Sequence, residues 1–118
     1  MSNYRYFTEE EFEHATPSCS LSDMDSHFMC LLDTARYIAG VPFIINSAYR
    51  SVDYELKKKR SGKSMHTLGQ AVDLKCVDSN TRFKILAALF VVGFTGIGIG
   101  TSFIHVDTRP YPLVWTYD

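Results

Sequence analysis

Two short stretches of this chain put an imidazole and a carboxylate into similar apolar settings. The first is SMHTLGQAVDLKC, residues 64–76, where His66 precedes Asp73 by seven positions. The second is SFIHVDTRP, residues 102–110, which carries His105 and Asp107. Imidazole nitrogens and carboxylate oxygens are ligands for zinc, and three such groups leave a fourth position open. Water in an open position is acidified towards a pKa of about 7, and the ion also polarises a carbonyl oxygen. Together these are the chemistry of amide hydrolysis. The competing reading keeps each histidine as a structural hydrogen-bonding group on its strand.

The elements around these residues decide whether they can meet. In QAVDLKC, strand alternation puts Ala71, Asp73 and Lys75 on one face and Val72, Leu74 and Cys76 on the other. In FIHVDT, Phe103, His105 and Asp107 share a face, and Ile104 and Val106 take the opposite one. If the two strands are neighbours, Asp73 and His105 sit side by side. His66 reaches the same face across the loop containing Gly69. Zinc bonds of roughly 2.0–2.2 Å need the rigidity that strands supply. His14 and His27 have no acid or cysteine at ligand spacing and read as ordinary surface residues. Ser47 and Ser64 have no base placed for them, and no G-x-S-x-G elbow is present.

The remaining elements follow from periodicity and caps. Thr8 and Glu11 form a capping box for a short helix. Ser22 or Asp23 caps a longer helix running to about Ala39, with Met24, Phe28, Leu31, Leu32, Ala35 and Ile38 at helical spacing. Gly40 and Pro42 stop it. PFIINSAY reads as a strand ending near Ser47. RSVDYELKKKRSGKS reads as a helical turn and loop, with Gly62 in the turn. Ser79 or Asn80 caps a second long helix that Gly93 ends. TGIGIG and FIHVDT are two strands joined by a tight turn at Gly100 and Thr101, and LVWTYD is a last strand. This order predicts one α+β domain with a small, mainly antiparallel sheet. Helices pack on one side, and the metal site lies on the opposite face.

The bulk properties narrow the function class. The chain has 118 residues, 46% hydrophobic, enough for one domain with a real core. A net charge of -1 argues against a nucleic-acid partner. The basic run Lys57, Lys58, Lys59, Arg60 and Lys63 reads as a solvated loop or helix end. Cys19, Cys30 and Cys76 are odd in number and widely spaced, so reduced and mostly buried thiols are expected. The first residues are polar and acidic without a basic and then apolar leader, so no secretion signal is expected. ILAALFVVGFTGIGIG is interrupted by glycines and too short for a spanning helix.

The motifs resemble the zinc D-Ala-D-Ala carboxypeptidase and peptidoglycan endopeptidase family, the M15-type peptidases, and most of all its short single-domain phage and bacterial branch. YFTEEEFE is similar to that branch's opening segment, and INSAYRS to its SGYRS strand end. SMHTLGQAVDL is similar to the S-x-H-x-x-G-x-A-x-D ligand motif. GFTGIGIG and FIHVDTRP look like its glycine-rich hairpin and third-ligand strand. The resemblance covers nearly the whole chain and implies a D-Ala-D-Ala carboxypeptidase/hedgehog-like fold with one zinc ion held by His66, Asp73 and His105. It implies that Arg50 lies beside the site and holds a substrate carbonyl or carboxylate, where a planar guanidinium suits both. The alternative for Arg50 is a surface ion pair with Asp53 or Glu55. Ser64 and Gly69 would shape the ligand loop, with Ser64 in reach of substrate.

One position departs from the pattern. Many members carry a glutamate three residues before the third ligand, as general base. Ser102 stands there, and no glutamate follows Glu55. Asp107 is the substitute candidate. It either takes a proton from the attacking water or accepts a hydrogen bond from a ligand imidazole. Tyr111 and Trp115 could wall a cleft, although for Trp115 core packing is the expected use. The expectation is a monomeric zinc peptidase acting on cell-wall peptide, made in the cytoplasm and released in the manner of a phage lysin or carried in a virion. A non-catalytic metal-containing module of the same fold, binding the wall or a partner, is the alternative.

Overall fold

The computed structural model describes residues 4–117. Helix α1 spans Glu9–Glu13, with the Thr8 backbone N–H donating to the Glu11 carboxylate at 2.8 Å, as in the expected capping box. A 3-10 turn at Leu21–Asp23 follows, and helix α2 runs over Ser26–Ala39. Strand β1 is Ile44–Ser47, helix α3 is Val52–Lys57, and a second 3-10 turn covers Met65–Leu68. Strand β2 is Ala71–Lys75, helix α4 is Ser79–Val92, and strands β3, β4 and β5 are Gly96–Ile99, Phe103–Asp107 and Leu113–Thr116.

Two caps differ from the sequence expectation. Asp25, not Ser22 or Asp23, caps α2, accepting the Phe28 backbone N–H at 2.9 Å. The stretch SLSDMDS offers several short acceptors in a row, and Ser20 and Asp23 are spent on the preceding 3-10 turn. Likewise Asp78, not Ser79 or Asn80, caps α4 by accepting the Thr81 N–H at 2.9 Å. Both helices end on left-handed glycines, Gly40 at φ 68° and Gly93 at φ 98°, where a Cβ would be strained.

The sheet has five strands in the order β1-β2-β4-β3-β5. Three pairings are antiparallel, and β3 with β5 is parallel. Val72, Leu74, Ile97, Ile104 and Val106 point to one face, where Phe28, Leu32, Ile85 and Leu89 from α2 and α4 complete the buried core. At roughly 25 cal/mol per Å² of apolar surface removed from water, this burial is the main stabilising term. The opposite face is left for polar groups. The expected α+β class and the placing of the helices on one side are therefore what the structure has. Cys76 is buried and Cys19 partly so, but Cys30 is exposed on the outer side of α2, against the expectation of mostly buried thiols. The Lys57–Lys63 basic residues are exposed, as expected.

Candidate metal centre

Strand register carries the first two residues of the site. β2 and β4 pair antiparallel with Asp73 opposite His105. Alternation sends both side chains to the polar face, because the intervening Val72, Leu74, Ile104 and Val106 are in the core. His66 arrives from the 3-10 turn just before β2. That turn closes on Gly69 at φ 69°, a left-handed conformation that swings the chain back onto the sheet. An ideal Cβ at Gly69 would meet the Asp23 carbonyl oxygen at 2.5 Å, so the close approach of the 21–25 loop requires glycine there as well.

The three side chains converge. Among the described residues, His66, Asp73 and His105 form a group able to hold a metal ion, with one candidate ligand atom from each lying within 4.8 Å of the others. His66 Nδ1 lies 2.6 Å from the Ala48 carbonyl oxygen. A carbonyl only accepts, so Nδ1 carries the proton and Nε2 is left with its lone pair, 3.4 Å from Asp73 Oδ1. His105 is anchored in the opposite sense. Its Nε2 is 2.7 Å from Asp107 Oδ2, and its Nδ1 is 2.9 Å from Asp73 Oδ1. With Nε2–H donated to Asp107, the Nδ1 lone pair turns towards the same point as His66 Nε2. Anchoring the non-ligating nitrogen on a fixed acceptor is how proteins orient metal-binding histidines. This donor set fits zinc: two neutral imidazoles and one carboxylate on rigid elements.

A second tier of contacts holds the carboxylates. Arg50 donates from Nη2 to Asp73 Oδ2 at 3.0 Å and from Nε to Ser47 Oγ at 3.0 Å. Its Nη1 is 3.5 Å from Glu55 Oε2. Asp107 is fully buried and takes the Arg109 guanidinium through Nε and Nη2, plus the Arg109 backbone N–H at 3.0 Å. Burial alone opposes ionisation of Asp73, but hydrogen bonds from His105 and His66, made when those rings carry a second proton, outweigh it and hold the carboxyl well below the usual range. Burial likewise opposes charge on Asp107, and bonds from His105 and Arg109 reverse the balance. Burial lowers the pKa of His105, yet the bonds to Asp107 and Asp73 win and raise it. Two ionised carboxylates thus make the spot between the imidazoles a place for positive charge.

The sequence-level candidates all fall in one place. Arg50, Ser64, Asp107, Tyr111 and Trp115 line the cleft that holds the three histidine and aspartate groups. Arg50 pairs with Glu55 and not with Asp53 in the recorded ion pairs, while also reaching Asp73. Ser64 turns its hydroxyl to the Glu55 carboxylate. His14 and His27 are exposed and belong to no such group among the described residues.

Sequence reading offered Glu55 only as a surface partner of Arg50 and gave Arg109 no role. Glu55 is completely buried, although its helix α3 is otherwise largely exposed. Its Oε2 joins Ser64, at the start of the His66 turn, to Arg50, which grips Asp73. Burial opposes its charge, and the Ser64 and Arg50 contacts outweigh that and lower its pKa. Nothing in VDYELK marks that glutamate as inward, since a charged residue on a short helix usually faces water. For Arg109, its place two residues after Asp107, inside the FIHVDTRP stretch, was the available signal.

Comparison with known proteins adds one finding. A family model described as peptidase M15 matches residues 5–107, a span that contains His66, Asp73 and His105 and ends on Asp107. No curated protein matches the chain.

Proposed function

Because this chain belongs to the M15 peptidase family, we propose that it hydrolyses an amide in the peptide of bacterial peptidoglycan, at or near D-alanine, with one zinc ion per chain. Membership makes it a metallopeptidase with a peptide substrate, and the family is zinc-dependent. The observation that carries the proposal to this site is the opposed anchoring of the two imidazoles, by Ala48 and by Asp107, about a shared carboxylate.

When bound, zinc supplies Lewis acidity, which acidifies a water molecule and polarises the scissile carbonyl. His66, Asp73 and His105 would hold the ion. Arg50 keeps the outer oxygen of Asp73 in place. Its guanidinium has five N–H groups, so donors remain to face a substrate carboxylate or a developing oxyanion. Of the two roles open to Asp107, the geometry favours anchoring His105. Both its oxygens are already engaged, by His105 and by Arg109. Ser64 stands on the rim with its hydroxyl committed to Glu55, so its part in substrate binding falls to its backbone and position.

Among the described residues, no helix is long and apolar enough to cross a membrane. We read the setting as the bacterial wall, reached in the manner of a phage-type lysin. Metal analysis of purified protein, combined with mass spectrometry of digested sacculi, tests the proposal. One zinc per chain with release of D-alanine or cross-bridge fragments is expected. Zinc-loaded protein that frees no peptide product would leave a metal-containing wall-binding module in its place.

A further inference from the structure

The site has one wall that the family match does not reach. Residues 108–117 lie beyond the matched span of 5–107, yet they supply Arg109, Tyr111, Trp115 and Tyr117 to the cleft. Trp115 rides on β5, the edge strand paired in parallel with β3, in register with Gly98, and the other three residues flank that strand.

β3 is what lets the wall lean in. Its sequence GIGIG alternates, so Gly96, Gly98 and Gly100 fall on the polar face, while Ile97 is buried in the core. Each glycine is overlaid by a neighbour's side chain. An ideal Cβ at Gly96 would collide with the Asp107 carboxylate, and one at Gly100 with the Phe103 ring. One at Gly98 would lie 2.7 Å from the Trp115 indole. The stripe is a trough, and the indole lies across it until its ring centre is 5.4 Å from that of His105. The Arg109 guanidinium sits over the ring, 4.5 Å from the indole centre, while its Nε and Nη2 are held by Asp107. The indole is thus held against both a tethered cation and a metal-site imidazole. Tyr117 and Phe103 extend the surface, their rings 4.8 Å apart. Trp115 is only partly buried, and Tyr117 is 44% exposed.

An immobilised aromatic face beside the reacting centre is more than packing requires. A flat π surface gives dispersion and apolar contact to C–H groups, and it has no hydrogen-bond partner for a polar side chain. We propose that Trp115, held by Arg109, is a specificity-determining residue that packs against a small aliphatic side chain flanking the scissile amide. This rests on the peptidase reading of the same site and adds which feature of the peptide is recognised. A methyl group seated in an apolar site is worth about tenfold or more in discrimination.

The test uses zinc-loaded full-length protein and three probes: acetylated lysyl-D-alanyl-D-alanine and the two counterparts with glycine in place of one or the other alanine. Wild type is expected to favour the all-alanine peptide over one glycine counterpart by about tenfold in kcat/KM. In Trp115→Ala that preference collapses to about twofold or less, while zinc affinity, read by chelator competition, stays within a few fold. Trp115→Phe, which keeps an aromatic face, restores part of it. A preference unchanged in Trp115→Ala overturns the proposal, as does a loss of zinc affinity in step with it, which marks a purely structural role. Should wild type cleave none of the peptides, the peptidase reading falls and the wall is judged on binding alone. Trp115 is the chain's only tryptophan, so its emission reports directly. Quenching by the alanine peptide at concentrations where a glycine counterpart has no effect sustains the wall. Equal quenching, or none, overturns it.

Discussion

Each functional side chain here is held by a partner that could be removed separately. Replacing His66, Asp73 or His105 by Ala removes a ligand and should abolish zinc retention on a desalting column. Asp107→Ala leaves His105 Nε2–H without its acceptor, and a drop of about 10–100-fold in zinc affinity is expected by chelator competition. Asp107→Asn keeps an acceptor oxygen but cannot take up a proton. It should retain zinc more tightly than Asp107→Ala and keep measurable hydrolysis; zinc-replete Asp107→Asn with no turnover would instead assign Asp107 the proton. Glu55 is the more exacting case. Glu55→Ala leaves Arg50 with Asp73 as its remaining carboxylate partner and the Ser64 hydroxyl without its acceptor, and should cost about 1–3 kcal/mol in urea unfolding. Glu55→Gln still accepts from Ser64 but loses the ion pair. The folded-state pKa of Glu55 lies below its ordinary 4.5, so its charge contributes stability above that pH and the contribution is lost as pH falls through the folded value. The stability gap between wild type and Glu55→Gln should accordingly be widest near neutral pH and close below 4.5.

The elements explain how much of this was legible. Alternation along QAVDLKC and FIHVDT placed Asp73 and His105 on one face, and the observed register puts them opposite each other. That inference worked because a period of two leaves each side chain only two choices, and the apolar residues claim one of them. The caps were misjudged at both long helices, since SLSDMDS and DSN each contain several residues able to accept from a helix N–H. Which one does so depends on where the preceding turn ends. The pairing of Glu55 with Arg50 was legible, but its burial was not, for a different reason. Its partners, Arg50 and Ser64, flank it in sequence, but only the fold of the loop brings them inward. Gly69 is an element-scale test. Gly69→Ala must bear both the left-handed φ and the contact with the Asp23 carbonyl oxygen. A loss of about 2 kcal/mol or more is expected, with zinc affinity falling too because the turn carries His66.

For the molecule as a whole, an ion that binds only the folded chain shifts the unfolding equilibrium. At free zinc a thousandfold above Kd the gain is about 4 kcal/mol, which for a domain of this size raises Tm by on the order of 10 °C. Treatment with a strong chelator should therefore lower Tm by a similar amount, and a Tm indifferent to chelator would contradict zinc binding by the native fold. The strand order adds an asymmetry. Asp73 and His105 stand on β2 and β4, each flanked on both sides by another strand, whereas Trp115 belongs to β5 at the margin. Sheets open from their margins, and peripheral segments exchange amide hydrogens before central ones. Gentle warming or dilute urea should peel away β5 while the central rungs stay zipped. A population would then exist that still captures zinc yet has stopped telling one peptide from another, so selectivity would fade at a lower temperature than metal capture.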